Sequence, residues 1–254
     1  MKLNGKVAIV TGANRSRGMG RAIAIALAKE GADIVVTGRQ EAPLETAKLI
    51  ESLGRSALPI KLDVRSSEQV DKMVSDVVEK FRRVDVLVNG AGALVVANAV
   101  DTTEDEWDLQ LDVNAKGTFL CCRAVAREMM KQKIRGKIVN ISSDAGLSGD
   151  AGYAVYGAAK WGVIGFTLSL AKELGPFGIN VNAVCPGDTD TDLLAAEIAK
   201  VAKMRAISEA QVRKAKTEGH PLGRFASPHD VANLVAFLAS NDADYITGAV
   251  IKMN

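Results

Sequence analysis

The chain has 254 residues, a length that predicts one large α/β domain over residues 1–254 rather than two small ones. Lys and Arg together number 32 and Asp and Glu 30, a balance that argues against a nucleic-acid or anionic-membrane surface. Apolar residues make up 48% and charged residues 24% of the chain, which excludes a disordered protein.

Short β-branched runs alternate with longer amphipathic segments along nearly the whole chain. Continuous apolar strands are typical of a parallel sheet that is covered on both faces. The alternation predicts a single-domain, Rossmann-like, doubly wound α/β fold with about seven parallel strands and helices on both faces of the sheet. The clearest predicted strands are 7–11, 33–37, 84–89, 137–142 and 179–184, and the predicted helices are 19–30, 42–53, 67–81, 103–113, 115–131, 153–174 and 228–239.

Three predicted helices begin with residues that favour helix starts. Ser66 with Gln69, and Thr103 with Glu106, have the spacing of a capping box. The Ser-Pro pair at 227–228 is typical of an N-cap followed by proline at the first helical position.

Residues 188–220 interrupt the alternation and are rich in Ala, Lys and Glu. We expect a helical insertion over one edge of the sheet. Because a doubly wound fold binds its ligand at the carboxyl ends of the strands, one interpretation is a helical substrate lid at 188–220. The alternative is a surface helical hairpin without a role in the site.

The cysteines and the apolar runs bear on compartment. Cys121, Cys122 and Cys185 are odd in number and lack C-x-x-C spacing, so we expect a reducing compartment, the cytoplasm. Polar residues interrupt the first ten positions, so no signal peptide is predicted. The longest uninterrupted apolar run, 22–28, is well short of the ~20 residues that span a bilayer, so we expect no membrane anchor.

The first predicted strand runs into a glycine-rich turn that contains Gly12, Gly18, Met19 and Gly20. Glycines between a strand and a helix let backbone N–H groups approach a pyrophosphate at the helix N-terminus. This signal is weak alone, since turns need glycine anyway. The G-x-x-x-x-G-K-[ST] pattern of a P-loop is absent.

The end of the second predicted strand bears on the choice of cofactor. An acidic side chain there would accept hydrogen bonds from the ribose of NAD, but Gly38 and then Arg39 occupy the position. Arg39 and Arg17 offer guanidinium groups that suit a ribose 2′-phosphate. We therefore predict NADP(H), with NAD(H) as the alternative. Two ordinary solvated arginines would explain the same residues without a phosphate.

Tyr156 and Lys160 stand at i and i+4, on one face of a predicted helix. An adjacent ammonium can lower the pKa of a tyrosine from its usual value of about 10 and make it an acid–base catalyst. The pair also occurs by chance on many helices. Here it is one of several motifs in order, the others being 11–22, 88–92, 113–117, 142–146 and 185–191.

With these motifs the sequence resembles the short-chain dehydrogenase/reductase family, in its short single-domain branch, over essentially the whole chain. The resemblance implies that Tyr156 is the general acid of carbonyl reduction, or the base of alcohol oxidation. It implies that Lys160 holds the nicotinamide ribose and lowers the pKa of Tyr156. Ser143 matches the serine that hydrogen-bonds the substrate oxygen, with its neighbour Ser142 as the weaker match. Asn114 matches the asparagine that anchors a water linking Lys160 to solvent.

The resemblance also implies a set of cofactor contacts. Asp63 and Val64, after the third strand, match a pair that contacts adenine, although a local turn or cap would equally explain Asp63. The other implied cofactor residues are Asn89, Ala91 and Gly92 at the end of the fourth strand, and Pro186, Gly187, Thr189 and Thr191 in the loop that contacts the carboxamide.

Three features depart from the family pattern. Five residues separate Gly12 from Gly18, as if two had been inserted, which makes Arg15 a further candidate for the 2′-phosphate. Gly90 replaces an asparagine at a strand end. The chain ends at Asn254, where relatives usually continue into a short glycine-containing tail that often contributes to subunit contacts.

The leading functional prediction is an oxidoreductase that transfers a hydride between NADP(H) and a ketone or secondary alcohol. Hydroxyl donors on Tyr156 and Ser143 would stabilise the developing oxyanion, so no metal is predicted. The alternatives are an NAD(H)-using alcohol dehydrogenase of the same fold and a non-catalytic NADP(H)-binding regulator. A serine hydrolase lacks its G-x-S-x-G motif, and a sugar-nucleotide epimerase would need a further substrate domain.

The substrate stays open among 3-oxoacyl thioesters, cyclic ketones, sugars and small hydroxyketones. Apolar residues in the segments expected to line the pocket favour a partly apolar ligand; they are Leu147, Val155, Leu193, Leu194 and Met204. Lysines of the insertion fit an acidic carrier or a thioester phosphate, or simply a solvated helix face.

Small residues at Gly157, Gly162 and Gly165 permit close helix approach. The resemblance implies that 153–174 and 115–131 pair between subunits in a homodimer or homotetramer. The alternative is a core role within one subunit.

Overall fold

A computed structural model describes residues 1–254. Seven parallel strands form one sheet in the order β3-β2-β1-β4-β5-β6-β7, which confirms the predicted fold class. The strands are β1 (Val7–Val10), β2 (Asp33–Gly38), β3 (Ala57–Lys61), β4 (Val86–Asn89), β5 (Lys137–Ile141), β6 (Asn180–Pro186) and β7 (Val250–Met253). The helices are α1 (Met19–Lys29), α2 (Leu44–Ser52), α3 (Ser67–Phe81), α4 (Glu104–Leu111), α5 (Gly117–Lys131), α6 (Ala154–Leu174), α7 (Asp192–Arg205), α8 (Glu209–Gly219) and α9 (Pro228–Ala239).

Successive strand residues face opposite sides of the sheet, and both sides are covered. Val10 and Ile34 pack with Leu27 in a cluster that joins the sheet to α1, α2 and α9. Ile9 and Leu87 pack into a second cluster with α3, α5 and α6. Because both faces are buried, the strands read as unbroken apolar runs. The strand order reverses between β1 and β4, and in open α/β sheets the crevice at such a reversal is the usual ligand site.

The predicted helix starts are confirmed, with one difference in detail. Thr103 and Glu106 form a complete capping box, as does Ser227 with its partner at N3. Ser66 caps α3 through the backbone N–H of Gln69, but the Gln69 side chain instead accepts a hydrogen bond from the backbone of residue 63. That start is therefore half a capping box.

The insertion consists of α7 and α8, which confirms a helical segment within 188–220. Leu194, Ile198 and Val201 of α7 pack with Val212 of α8 and with Val96 in a small core of their own. The two helices are thereby held as a unit over the carboxyl end of the sheet.

The end of β5 is tied to α6 by three hydrogen bonds. The Asn140 amide donates to the Thr167 hydroxyl at 2.9 Å, and the Ser142 hydroxyl donates to the carbonyl of Lys160 at 2.9 Å. Lys160 Nζ in turn donates to the carbonyl of Ile141 at 3.0 Å. By length and composition α6 could cross a membrane, but 44% of its most apolar window is buried inside the fold. The three hydrogen bonds to the end of β5 set the position of α6 along and around its axis.

Asn140 is the centre of this connection, since its side chain is fully buried and also accepts a hydrogen bond from Asn89 at 2.8 Å. We predict that Asn140→Ala lowers the free energy of unfolding by about 2–4 kcal/mol, because it leaves the buried side chains of Asn89 and Thr167 without their hydrogen-bond partner. Urea unfolding followed by circular dichroism measures the loss. Asn233→Ala, at an exposed position on α9, serves as the control and should change stability by less than about 0.5 kcal/mol. Equal losses in the two variants would contradict the assignment.

Candidate active site

Two cavities meet at the carboxyl edge of the sheet. The first, called here the edge cavity, has a volume of about 370 Å³ and runs over the ends of β1, β2 and β4. The second, the lid cavity, has a volume of about 420 Å³ and lies between the segment after β5 and helices α7 and α8. Six residues line both: Met19, Leu94, Ser142, Tyr156, Thr191 and Leu193. Tyr156 therefore stands where contents of the two cavities would meet.

The two adjacent serines after β5 have different surroundings. The Ser142 hydroxyl is committed to the backbone of Lys160, as described above. The Ser143 hydroxyl lines the lid cavity, accepts a hydrogen bond from the backbone N–H of Ala145 at 3.2 Å and donates to Asp144 at 3.1 Å. Ser143, rather than Ser142, is thus the serine placed to meet a ligand in the lid cavity.

Burial controls the protonation of Tyr156 and Lys160. Burial raises the pKa of Tyr156 above its ordinary value, while a hydrogen bond with Ser143 opposes the rise. This net direction is opposite to the lowering by Lys160 that the sequence predicted. Burial also lowers the pKa of Lys160, to about 8. The ammonium lies 5.6 Å from the centre of the Tyr156 ring. At neutral pH the tyrosine therefore holds its proton, and the neighbouring lysine is largely charged.

Asn114 lies in a π-helical segment, Asp112–Lys116, between α4 and α5. Its amide donates to the carbonyls of Ala93 at 2.8 Å and Gln110 at 2.9 Å. A Cβ placed on Gly92 would lie 3.2 Å from Asn114 Oδ1 and 3.8 Å from Lys160 Nζ, so these two polar groups flank the same point. The side chain thus fixes the segment after β4 beside Lys160. Its part in holding a water stays a prediction.

The turn after β1 packs closely against the backbone segment after β4. Gly12 has φ +74°, and a Cβ there would lie 2.8 Å from Cα of Ala91. The Thr11 hydroxyl accepts hydrogen bonds from the backbone of Gly90 at 3.0 Å and of Ala91 at 3.1 Å, which holds the strand end where the family pattern has an asparagine.

Helix α1 begins directly in the edge cavity without a capping side chain. Its N-cap is Gly18 and its first turn has no acidic residue, whereas α3, α4, α7, α8 and α9 are each capped by a serine or threonine. The free N–H groups and the positive end of the helix dipole therefore face the cavity. These features fit the pyrophosphate of a dinucleotide.

Two arginines at the other end of the edge cavity have no carboxylate partner. Arg15 and Arg39 line the cavity, are exposed and form no ion pair. Arg17 does not line it, because its guanidinium pairs with Asp190 at 3.1 Å. A Cβ on Gly38 would lie 2.6 Å from the Glu41 carbonyl oxygen and 2.8 Å from Cβ of Asn14 in the glycine-rich turn. An acidic residue therefore cannot occupy position 38 unless that turn moves.

Asp63 combines the two roles that the sequence left open. It lines the edge cavity beside Val64. Its carboxylate also accepts from the backbone N–H of Arg65 at 3.0 Å and pairs with the Arg65 guanidinium at 2.6 Å, which keeps the pKa of Asp63 below its usual value. Asp63 thus forms a local turn at the wall of the cavity.

The remaining predicted residues divide between the cavities. Gly12, Gly18, Met19, Gly20, Ala91, Gly92, Lys160 and Thr191 line the edge cavity, and Pro186, Gly187 and Thr189 line the lid cavity. Asn89 lines neither cavity, because its side-chain amide instead donates hydrogen bonds to Asn140 and Cys122 inside the fold. The three cysteines are free and buried, and burial raises the pKa of Cys121 to about 12.

Sequence reasoning expected segments 144–155 and 188–220 to line the pocket, but apart from Lys216 it did not single out the polar side chains of this lining, which are Asp144, Asp150, Tyr153, Asp188, Glu197, Arg205 and His220. The lysine signal was present, but only Lys216 turns inward, while Lys200, Lys203 and Lys214 are exposed. In the edge cavity it missed Asn14, Thr37, Gln40, Leu62 and Ala93. Of these, Asn14 lies within the glycine-rich turn and was within reach of the motif argument.

Comparison with known proteins agrees with this geometry. Residues 12–254 match a family model described as enoyl-(acyl carrier protein) reductase. The chain is 40% identical over 256 residues to the 3-oxoacyl-[acyl-carrier-protein] reductase FabG of Aquifex aeolicus, covering 100% of this chain and 98% of that protein. A FabG of Vibrio cholerae is 39% identical, with 100% and 98% covered. The chain belongs to the short-chain dehydrogenase/reductase family and is an oxidoreductase of that family.

Solved structures of the same fold carry either nicotinamide cofactor. NAD⁺-bound xylitol dehydrogenase superposes with a TM-score of 0.94 at 32% identity, covering 100% of this chain and 99% of that one. An Agrobacterium tumefaciens protein provisionally assigned as a 2-deoxy-D-gluconate 3-dehydrogenase, with bound NADP, has a TM-score of 0.88 at 37% identity, covering 100% and 96%.

The buried ammonium of Lys160 gives a stability prediction. Burial lowers the pKa of Lys160 from 10.5 to about 8. Below pH 8 the charged lysine therefore lowers the free energy of unfolding. The cost shrinks as pH rises from 8 to 10.5, where the unfolded chain binds the extra proton. We expect Lys160→Met to raise the free energy of unfolding at pH 7 by about 2 kcal/mol, and by progressively less towards pH 10.

Urea unfolding at pH 7, 8.5 and 10 measures this gain. Lys137→Met is the control, since the ammonium of Lys137 is equally buried but pairs with Asp244 at 2.6 Å. The control should gain no stability. A Lys160→Met protein that is no more stable than the parent at pH 7 would show that the Ile141 carbonyl compensates the charge.

Proposed function

We propose that the protein is an NADPH-dependent reductase of ketones, running in reverse as a secondary-alcohol dehydrogenase. The observation that carries this proposal is the position of the half-buried Tyr156 at the junction of the two cavities, with Ser143 in the lid cavity and Lys160 in the edge cavity. A coenzyme in the edge cavity and a carbonyl compound in the lid cavity would meet at that hydroxyl.

The proposed chemistry divides between the coenzyme and three side chains. A bound reduced nicotinamide would supply the hydride to the carbonyl carbon. Tyr156 donates its hydroxyl proton to the carbonyl oxygen, and Ser143 donates a hydrogen bond to that oxygen as negative charge develops. The Lys160 ammonium stabilises the phenolate that remains. Alcohol oxidation runs through the same groups in reverse, with the tyrosine as base.

The preference for NADP(H) rests on Arg15 and Arg39. Neither guanidinium group forms an ion pair, because the nearby Asp63 carboxylate is held by Arg65, and Gly38 leaves no acidic side chain at the end of β2 to bind an unphosphorylated ribose. A 2′-phosphate would supply the missing anion. The NADP-bound Agrobacterium tumefaciens relative supports this choice, whereas the xylitol dehydrogenase structure holds NAD⁺.

Assembly and compartment complete the proposal. The outer faces of α5 and α6 expose Phe119, Trp161 and Leu168, and nothing lies within 4 Å of a Cβ placed on Gly165. Such an apolar face with small residues suits pairing of these helices in a homodimer or homotetramer. The free cysteines fit the reducing cytoplasm.

Replacing the proposed proton donor tests the function directly. We expect Tyr156→Phe to lower kcat for NADPH-linked ketone reduction by about 10³-fold or more, while the Kd for NADPH changes little, because the ring still fills its place. Stopped-flow absorbance at 340 nm and fluorescence titration measure the two quantities. Tyr245→Phe, at a fully exposed tyrosine, is the matched control and should behave as the parent. Unchanged turnover in Tyr156→Phe would refute the role, and tight NADPH binding by the parent with no turnover would favour a regulator.

Arg39 tests the cofactor choice. We expect Arg39→Ala to reduce kcat/KM with NADPH by roughly 10–100-fold and with NADH by less than about threefold, because only the first cofactor loses a charge-assisted pair. Arg127→Ala, an exposed arginine on α5 remote from the edge cavity, should leave both values unchanged. Equal losses with both cofactors would argue against a phosphate contact at Arg39.

A further inference from the structure

A connected set of polar and charged side chains forms one wall of the lid cavity. Glu197 Oε1 accepts the Tyr153 hydroxyl at 2.6 Å and lies 2.7 Å from Lys216 Nζ. Lys216 Nζ also lies 2.8 Å from Asp188 Oδ1, and the other oxygen of Asp188 lies 3.1 Å from His220 Nε2. These five residues are called here the lid network. The proton transfer proposed above uses none of them.

The lid network is shielded from bulk solvent yet faces the cavity. Its side chains are exposed by 10% at Glu197, 12% at His220, 18% at Asp188 and 22% at Lys216. All line the same cavity as Tyr156 and Ser143. The network groups bond to one another, but the second oxygen of Glu197 has no partner, and a ligand that covers it without hydrogen-bonding it leaves it unsatisfied at a cost of about 1–3 kcal/mol. The wall therefore favours a ligand that brings its own hydroxyl groups.

Some of the apolar residues that line the lid cavity offer a ligand little surface. Leu194, Val201 and Val212 are 3%, 5% and 3% exposed because they are packed in the core between α7 and α8. Three of the apolar residues expected to line the pocket, Leu147, Val155 and Met204, do not line it. Leu193 and Ile207 remain available, so the expectation of a partly apolar ligand keeps part of its lining, while a long acyl chain would also lie against the charged lid network.

The charge of the lining disfavours anions. Four carboxylates line the lid cavity, from Asp144, Asp150, Asp188 and Glu197, against two permanently cationic side chains, Arg205 and Lys216. Both oxygens of Asp188 and one of Glu197 already have partners, so the charge of Lys216 is neutralised within the wall, whereas Arg205 forms no ion pair. Carboxylates still outnumber cationic side chains in the lining, which disfavours a substrate carboxylate or the phosphate of a carrier-bound thioester.

We propose that the substrate is an uncharged, polyhydroxylated ketone, or the corresponding polyol, whose hydroxyl groups bind the lid network. The proposal rests on the function proposed above and specifies its substrate class. Tyr153 and Glu197 contact the substrate hydroxyls, and Lys216 is a positioning residue that holds Glu197 and Asp188 in place. A site built to hydrogen-bond hydroxyl groups can reject analogues without them by as much as about 10⁴-fold.

The substrate profile of the full-length enzyme with NADPH provides the first test. The panel contains the ketoses erythrulose, xylulose, ribulose and fructose, the anionic 5-keto-D-gluconate, the acetoacetyl thioester of N-acetylcysteamine, and cyclohexanone. We expect kcat/KM for the best ketose to exceed that for the anion and the thioester by at least about tenfold. An equal or higher value for either would overturn the proposal. Failure to reduce any compound, cyclohexanone included, would refute the proposed function itself.

Variants of the lid network provide the second test. We expect Glu197→Gln and Tyr153→Phe each to lower the ratio of kcat/KM for the best ketose to that for cyclohexanone by at least about tenfold, chiefly through KM of the ketose. The control is Glu218→Gln, whose carboxylate lies on the exposed face of α8 beside Lys214 and should leave the ratio unchanged. Fluorescence titration with NADPH verifies that each variant is folded. An unchanged ratio in both lid-network variants with intact NADPH binding would overturn the proposal.

Discussion

The joining of β5 to α6 by hydrogen bonds is the constraint on which the site depends. Lys160 and Thr167, the two anchored residues of α6, are seven positions apart and so lie two turns apart on one face of the helix. Because the hydrogen bonds hold α6 at two points along its axis, they fix both its position and its rotation about that axis. Tyr156, one turn before Lys160, is thereby aimed at the junction of the two cavities, and Ser143 follows directly from the strand that supplies the anchors.

The same arrangement puts stability and chemistry in opposition. Lys160 is almost fully buried with one backbone carbonyl as its hydrogen-bond partner, and its lowered pKa records the cost. The Asn140–Thr167 bond lies in the same interface and is fully buried, where a satisfied polar pair stabilises a unique packing. The protein thus holds a charged lysine inside its core, with neutral hydrogen bonds between β5 and α6 on either side of it.

Local patterns predicted the fold and the central pair of the site, because strands covered on both faces and an i, i+4 spacing leave direct traces in sequence. They could not show contacts with partners far along the chain. Arg17 is spaced like a phosphate ligand but pairs with Asp190, and Asn89 sits at a cofactor-side strand end but turns to Asn140. The lid network joins three separate segments, so no single window contained it.

The Arg17–Asp190 pair also joins the glycine-rich turn to the loop that leads into α7, and its two side chains are 55% and 48% exposed. An ion pair so well hydrated is worth about 0–1 kcal/mol and weakens with salt. The contact between the glycine-rich turn at the edge cavity and the loop before α7 at the lid cavity is therefore weak. Because breaking this one contact costs little free energy, the glycine-rich turn and the loop before α7 can separate without disturbing the packed core.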